Sequence, residues 1–148
     1  MRILGLDFGD RRIGVAMSDP EGILATPLTI IERTSDEADV KSIADIMIGE
    51  HVGKIIAGLP RSMRGDEGIQ AEKVKSFADK LSRMINAPLE YRDERFSTVS
   101  AGRLMREART KKPSKDSKKV YDDAVAAAVI LQDYLDEVRE KLREQSET

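Results

Sequence analysis

The chain of 148 residues has no cysteine, no tryptophan and a single histidine, and aromatic residues make up 4% of it. Without cysteine, the protein cannot contain a disulfide, a thiolate-bound metal or a cysteine nucleophile. Because His51 is the only imidazole in the sequence, a metal site built on several histidines is excluded, and a Ser-His-Asp triad has one candidate for its base. Any metal chemistry must therefore use carboxylates.

Long apolar runs are also missing from the sequence. No stretch approaches the roughly 20 apolar residues of a membrane span, and the first residues lack the basic leader and apolar core of a signal peptide. We therefore expect a cytoplasmic protein without a membrane partner. The net charge of −2 excludes a histone-like polycation. The length predicts one domain over 1–148, with a frayed polar tail over about 139–148.

Hydrophobic periodicity predicts short strands followed by alternating helices and strands. Apolar runs at 2–8 and 13–17 flank a polar turn, which predicts a hairpin, and 25–32 is a third strand. Further strands are predicted at 54–59 and 88–92. Helices are predicted at 35–50, where Thr34 and Glu37 are spaced as a capping box, from Asp66 to 85, over 97–108, and from about Tyr121 onward. This order predicts an α/β fold: a mixed five-stranded sheet, three antiparallel strands then two parallel ones, with helices on both faces.

Asp7 is the most unusual acidic residue of the predicted strands. Aspartate is unfavourable in a strand, and its burial is costly unless it is paired or binds a cation. Gly5 and Gly9 stand on either side of it and leave room for a ligand. Two interpretations stay open at this point: a metal ligand, or the partner of an arginine such as Arg95.

Two other acidic segments are candidates for the same site. Asp93 and Glu94 follow a predicted strand, where α/β sheets collect their chemistry, although an acidic residue there also suits the next helix dipole. Asp122 and Asp123 open the final helix, where capping explains one of them, and the alanines at 126–128 let that helix lie close to the sheet. A short aspartate could then reach the end of the first strand.

Three carboxylates from distant segments, without a histidine cluster, suit Mg²⁺ or Mn²⁺. Two such ions about 4 Å apart would activate water and stabilise the leaving oxygen in phosphodiester cleavage. The carboxylates therefore indicate metal-dependent phosphodiester cleavage as the candidate chemistry.

The segment 109–119 carries a local charge of +5, from six basic residues and one aspartate, so the rest of the chain sums to −7. Because like charges repel and Pro113 interrupts the segment, we predict a mobile loop and not a helix. A solvated loop is the simplest interpretation. The concentration of positive charge in an otherwise acidic chain nevertheless favours contact with a phosphate backbone. The six basic residues are Arg109, Lys111, Lys112, Lys115, Lys118 and Lys119.

Four sequence blocks, which together extend over nearly the whole chain, resemble the YqgF/RuvX family of small bacterial RNase H-like nucleases related to Holliday junction resolvases. Ser97 stands where a threonine is commoner in that family. The blocks are Gly5-Leu6-Asp7-Phe8-Gly9 continuing from Arg12 to Asp19, Gly58-Leu59-Pro60 with Met63-Arg64-Gly65, Asp93-Glu94-Arg95-Phe96-Ser97-Thr98, and Asp123 followed by Ala126-Ala127 and Ile130-Leu131-Gln132.

The resemblance implies a three-layer RNase H-like fold and processing of the 5′ end of pre-16S rRNA during ribosome biogenesis. It implies that Asp7, Glu94 and Asp123 form an acidic site for Mg²⁺ or Mn²⁺, with two ions. Ribosome association and a monomer or homodimer are further expectations. Besides the six basic residues of 109–119, the residues expected to contact nucleic acid are Arg12, Arg61, Arg64 and Arg95.

Three alternatives stay open. A resolvase acting on branched DNA is one, because nothing in the sequence indicates a reader of the 2′-hydroxyl of RNA. A non-catalytic nucleic-acid-binding module, whose carboxylates form structural ion pairs, is the second. The third is a phosphotransfer ATPase, since Gly-Leu-Asp-Phe-Gly also resembles the first phosphate loop of actin-like and sugar kinases. Those proteins bind nucleotide between two such domains, and this chain supplies one.

Overall fold

The structure is a computed structural model that describes residues 1–9, 11–59, 67–93 and 115–146, and the side chains among them except at 67–71, 93, 115–123 and 146. In these ranges, no helix is both long enough and apolar enough to cross a bilayer. The elements are β1 (Arg2–Phe8), β2 (Arg12–Ser18), β3 (Ala25–Glu32), α1 (Asp36–Gly49), β4 (Val52–Leu59), α2 (Glu67–Ile85), β5 (Leu89–Asp93) and α3 (Lys115–Ser146).

The five strands form one sheet in the order β3-β2-β1-β4-β5. β1 pairs with β2, and β2 with β3, in antiparallel fashion, whereas β4 pairs with β1 and β5 in parallel. The central strands β1 and β4 have near-continuous apolar sequences because both of their faces are covered. The mixed sheet predicted from the sequence is therefore confirmed.

Side chains of β1 alternate between two cores. Leu4 and Leu6 belong to a core shared with α1 and α2, in which Phe77 is buried. Ile3 packs on the other face with residues of α3, and Gly5 faces the same helix. The sheet therefore lies between α1 and α2 on one side and α3 on the other, which confirms helices on both faces.

Contacts at two points along β1 fix the direction in which α3 crosses the sheet. Tyr134 accepts a hydrogen bond of 2.7 Å from Lys54, and Lys54 pairs with Ile3 near the start of β1. Ala127, two turns earlier in α3, lies against Gly5, farther along β1. Because residue numbers fall along α3 as they rise along β1, the two elements run antiparallel.

α3 approaches β1 so closely that position 5 has no room for a side chain. A Cβ there would lie 2.8 Å from the Cβ of Leu131 and 3.0 Å from the carbonyl oxygen of Ala127. We expect Gly5→Ala to lower the free energy of unfolding by about 1–3 kcal/mol, because the backbone of α3 must move away from the sheet. Urea denaturation followed by circular dichroism measures this change.

Gly49→Ala is the matched control for that substitution. Nothing lies within 4 Å of a Cβ at position 49, which ends α1. The same added methyl group should stabilise the protein there by up to about 1 kcal/mol, because alanine is the better helix former. Equal losses of stability in the two variants would contradict the close approach of α3 at Gly5.

α1 begins one residue later than the proposed capping box requires. Its N-cap is Ser35, whose side chain accepts a hydrogen bond from the backbone N–H of Ala38. Thr34 precedes this cap, and its backbone N–H and its hydroxyl both donate to Asp39 Oδ1 at 3.3 Å. The capping-box prediction at Thr34 and Glu37 is therefore wrong.

α3 is longer than predicted at both ends. It begins at Lys115 and not near Tyr121, so the prediction of a loop is wrong for residues 115–119. Extending a helix that is already formed adds one hydrogen bond per residue fixed, and lysine is a good helix former, whereas each like-charge pair costs only about 0.2–0.5 kcal/mol. Residues 139–146, expected to fray, continue the helix to Ser146. The predicted cap at Asp66 and the predicted helix at 97–108 lie outside the described residues.

Candidate active site

Asp7 lies near the end of β1, on the face of the sheet that α3 covers. It shares this face with Ile3 and Gly5, because alternate residues of a strand point the same way. Its neighbours across the sheet are Gly14 on β2 and Gly58 on β4. Half-buried Asp7 is thus flanked by glycine on both neighbouring strands, and by Gly5 and Gly9 along its own strand, so none of these four positions covers its carboxylate with a side chain.

The register that places Gly14 beside Asp7 depends on a tight turn after β1. The backbone N–H of Gly9 donates to the carbonyl oxygen of Arg12 at 2.8 Å. A Cβ at position 9 would lie 2.8 Å from that same oxygen, so the turn requires glycine there. β2 begins at Arg12, directly after this turn. Gly14, two residues farther along β2, therefore pairs with Asp7.

The parallel strands end at the same edge of the sheet as β1. Gly58 pairs with Arg92, and Leu59 pairs with Asp93, the last residue of β5. Arg92 forms an ion pair with Glu137 of α3, which holds the pKa of that carboxyl below its usual value. Arg92 therefore points to the same face as Asp7. Glu94, the next candidate ligand, follows β5 directly in the sequence and lies outside the described residues.

Asp123 belongs to α3, one helical turn before Ala127. Since Ala127 lies against Gly5 and α3 runs antiparallel to β1, this turn lies toward the end of β1 at which Asp7 is placed. The side chain of Asp123 is not among those described. Within the described residues, no group of three or more acidic or histidine side chains is close enough to hold a metal ion.

The donor chemistry at this edge suits a hard divalent cation. Asp7 supplies carboxylate oxygens, glycine positions leave space around it, and in the described part of the chain no ion pair joins it to a basic side chain. Its alternative partner, Arg95, lies outside that part. His51 is excluded from this edge, because it lies in the turn after α1, in a left-handed conformation (φ 55°), immediately before the start of β4.

Of the residues expected to contact nucleic acid, Arg12 is the one whose side chain is described. It starts β2 on the same face as Gly14, at the same edge of the sheet as Asp7, and its Nε lies 3.9 Å from Glu32 Oε1. Three of the lysines lie in the first two turns of α3, with side chains that are not described: Lys115, Lys118 and Lys119. The others lie outside the described residues: Arg61, Arg64, Arg95, Arg109, Lys111 and Lys112.

Sequence reasoning missed the role of Gly14 and Gly58. Both glycines are visible in the sequence, but their contact with Asp7 follows from the strand register, which a single sequence does not reveal. It also missed Arg33, whose side chain donates to the carbonyl oxygen of Gly9 at 3.3 Å.

Comparison with known proteins gives consistent matches along nearly the whole chain. A family model described as "RuvX: Holliday junction resolvase" matches residues 1–137. A protein of Dehalococcoides mccartyi named "Putative pre-16S rRNA nuclease" is 49% identical over 129 residues, which are 87% of this chain and 93% of that protein. A protein of the same name from Clostridium acetobutylicum is 43% identical over 138 residues, 93% of this chain and all of that protein.

Solved structures with a similar fold include RuvC and a viral Holliday junction resolvase. T. thermophilus RuvC, solved in complex with a Holliday junction substrate, superposes with a TM-score of 0.57 at 10% identity, over 88% of this chain and 92% of that one. The Holliday junction resolvase of fowlpox virus gives a TM-score of 0.53 at 13% identity, over 93% and 99% of the two chains. At these identities, the likeness concerns the fold, and it confirms the RNase H-like arrangement.

Proposed function

The chain belongs to the RuvX family, and from this premise we propose that it is a metal-dependent endonuclease that hydrolyses phosphodiester bonds and processes the 5′ end of pre-16S rRNA. The observation that carries the chemistry is the position of Asp7 at the C-terminal edge of the parallel strands, with glycine at both positions paired with it across the sheet. The curated relatives, which match over nearly their full lengths, support the RNA substrate by their name.

We assign the metal site to Asp7, Glu94 and Asp123. On β5, Glu90 and Arg92 both contact partners on the α3 face, Glu90 through Lys54 at 3.1 Å. This alternation supports Glu94 as the ligand from this segment, because alternate residues of a strand share a face. Asp123 is supported by its place one turn before Ala127, on the helix that contacts β1.

The chain's own residues would divide the work at this edge. Mg²⁺ or Mn²⁺, bound as two ions, supplies an activated water and neutralises charge on the leaving oxygen. Asp7 would fix the metal site at the end of β1. The glycines at positions 14 and 58 would let a bulky phosphodiester approach the carboxylate. Arg12, at the same edge, attracts the phosphate backbone, as do the basic residues that begin α3.

The proposal includes a single nuclease domain over 1–148 that works in the cytoplasm, as a monomer or homodimer, and associates with ribosomal precursors. A resolvase acting on branched DNA is the second candidate, because the family model is described by that activity and the fold resembles that of RuvC. Both activities would use the same carboxylates, so the substrate and not the site distinguishes them.

Cleavage of two labelled substrates under the same conditions tests this assignment. With Mn²⁺, we expect the purified protein to cut a 5′-extended 16S precursor at least about tenfold faster than a four-way DNA junction, a difference of about 1.4 kcal/mol in the barrier. EDTA should abolish the cleavage of both. Faster cleavage of the junction would favour the resolvase, and binding of either substrate without cleavage would favour a non-catalytic module.

A further inference from the structure

Arg33, between β3 and α1, has a guanidinium group that contacts a backbone carbonyl, two carboxylates and an aromatic ring. One terminal nitrogen donates to the carbonyl oxygen of Gly9 at 3.3 Å, and the other donates to Asp36 Oδ1 at 3.3 Å. Its Nε lies 3.8 Å from Asp39 Oδ2. The guanidinium carbon also lies 5.5 Å from the ring centroid of Phe77, a cation–π contact.

These contacts reach the end of β1 from two directions. Gly9 is two residues beyond Asp7 in the chain, and its carbonyl is held directly by Arg33. Phe8, which stands between them, packs edge-on against Phe77 at 5.2 Å, and Phe77 in turn lies against the Arg33 guanidinium. The backbone that carries Asp7 is therefore connected to Arg33 through both a hydrogen bond and a ring contact.

The charge of Arg33 is fixed in place by two carboxylates of α1. Asp39 is 2% exposed, and its Oδ2 has no hydrogen-bond partner among the described residues, so Arg33 is the cation that offsets its charge. Lys80 donates to Asp36 at 2.9 Å, and this hydrogen bond holds the pKa of Asp36 below its usual value. A buried carboxylate on one side and an ion pair on the other keep the guanidinium from swinging toward solvent.

We propose that Arg33 is a positioning residue of the nuclease site, which fixes the end of β1 through the Gly9 carbonyl and so sets the place of the Asp7 carboxylate. The inference rests on the proposed function, in which Asp7 is a metal ligand. Contact of Arg33 with a substrate phosphate is less favoured, because its side chain is 25% exposed and each terminal nitrogen already donates to a protein acceptor, Gly9 or Asp36. The fork of arginine places a separate nitrogen at each of the two partners, whereas a lysine ammonium has one nitrogen with which to reach both.

Two variants test the inference. Arg33→Lys keeps the charge opposite Asp39, and Arg33→Gln combined with Asp39→Asn removes both charges of this ion pair together. For each we expect kcat on the precursor RNA to fall by about 10- to 100-fold, as for other residues that orient a metal ligand, while KM stays within about twofold. Calorimetric titration of Mn²⁺ into the metal-free protein should show a dissociation constant raised by about tenfold.

Lys80→Met is the matched control, because it removes the ion pair with Asp36 and leaves the contact between Arg33 and Gly9 in place. Its kcat and Mn²⁺ affinity should equal those of the wild type. Hydrogen exchange of the Gly9 amide, which is bonded to the Arg12 carbonyl, gives a readout that needs neither metal nor substrate. It should become faster in both Arg33 variants and stay unchanged in Lys80→Met.

The outcomes separate this inference from the proposed function. A wild-type protein that neither binds Mn²⁺ nor cleaves would end the proposed function, and the positioning role that depends on it would end too, whatever the exchange at Gly9. If the wild type cleaves, unchanged kcat in Arg33→Lys, or an equal loss in Lys80→Met, overturns the role of Arg33. So does an unchanged exchange rate at Gly9 in the Arg33 variants.

Discussion

Asp7→Asn should lower the cleavage rate by more than about 100-fold, with little change in substrate affinity. Asparagine keeps the shape of the side chain but removes the charge that holds a divalent cation, and even residues that only orient metal ligands are worth about 10–100-fold. Because the neighbouring positions on this face are glycines, no other described side chain beside Asp7 can take over its role. Single-turnover cleavage of the precursor RNA in Mn²⁺ measures the loss.

Thermal unfolding with and without Mn²⁺ gives this prediction an independent check. A bound ion stabilises the folded state by mass action, about 2.7 kcal/mol at a concentration of one hundred times Kd. Millimolar Mn²⁺ should therefore raise the Tm of the wild type and should do so much less in Asp7→Asn. Asp45→Asn, on the exposed side of α1, is the matched control and should behave as the wild type. Undiminished cleavage by Asp7→Asn would rule out the assigned mechanism.

The architecture could be predicted from the sequence because, in most elements, the hydrophobic pattern of the sequence agrees with the burial seen in the structure. The run that forms β1 is apolar on both faces, as a central strand must be, and the spacing of Val40, Ile43 and Met47 marks the buried side of α1. The start of α3 could not be predicted this way. The charge density of residues 115–119 argues locally against a helix, but these residues extend one that is already anchored by its contacts with the sheet.

The candidate site was predictable where a residue contradicts its local environment. Asp7 is an acidic residue in an apolar strand, and this conflict is visible without a structure. The space around it was not, because Gly14 and Gly58 become its neighbours through strand register and lie 7 and 51 residues away in the chain. Arg33 was missed for the same reason, since its contact with Gly9 spans 24 residues. Asp7, Glu94 and Asp123 all remain predictions as ligands.

The lysines that begin α3 should carry a large share of the affinity for nucleic acid. Ala127 lies against Gly5, and α3 starts 12 residues earlier, so about 18 Å of helix extends from this contact toward and past the edge at which Asp7 lies. Replacing Lys115, Lys118 and Lys119 by glutamine should weaken binding of the precursor RNA at moderate salt. The slope of log K against log salt should fall by about 3, one unit for each lost phosphate contact.

A triple variant of equal charge change distinguishes a local contact from a general effect of net charge. Lys41, Lys73 and Lys75 are exposed on α1 and α2, on the opposite side of the sheet from α3. Their replacement by glutamine lowers the net charge by the same amount and should leave the salt slope almost unchanged. At saturating RNA, kcat should be the same in both variants, because neither set includes a residue assigned as a metal ligand. Equal slopes in the two variants would mean that the backbone of the nucleic acid does not follow the start of α3.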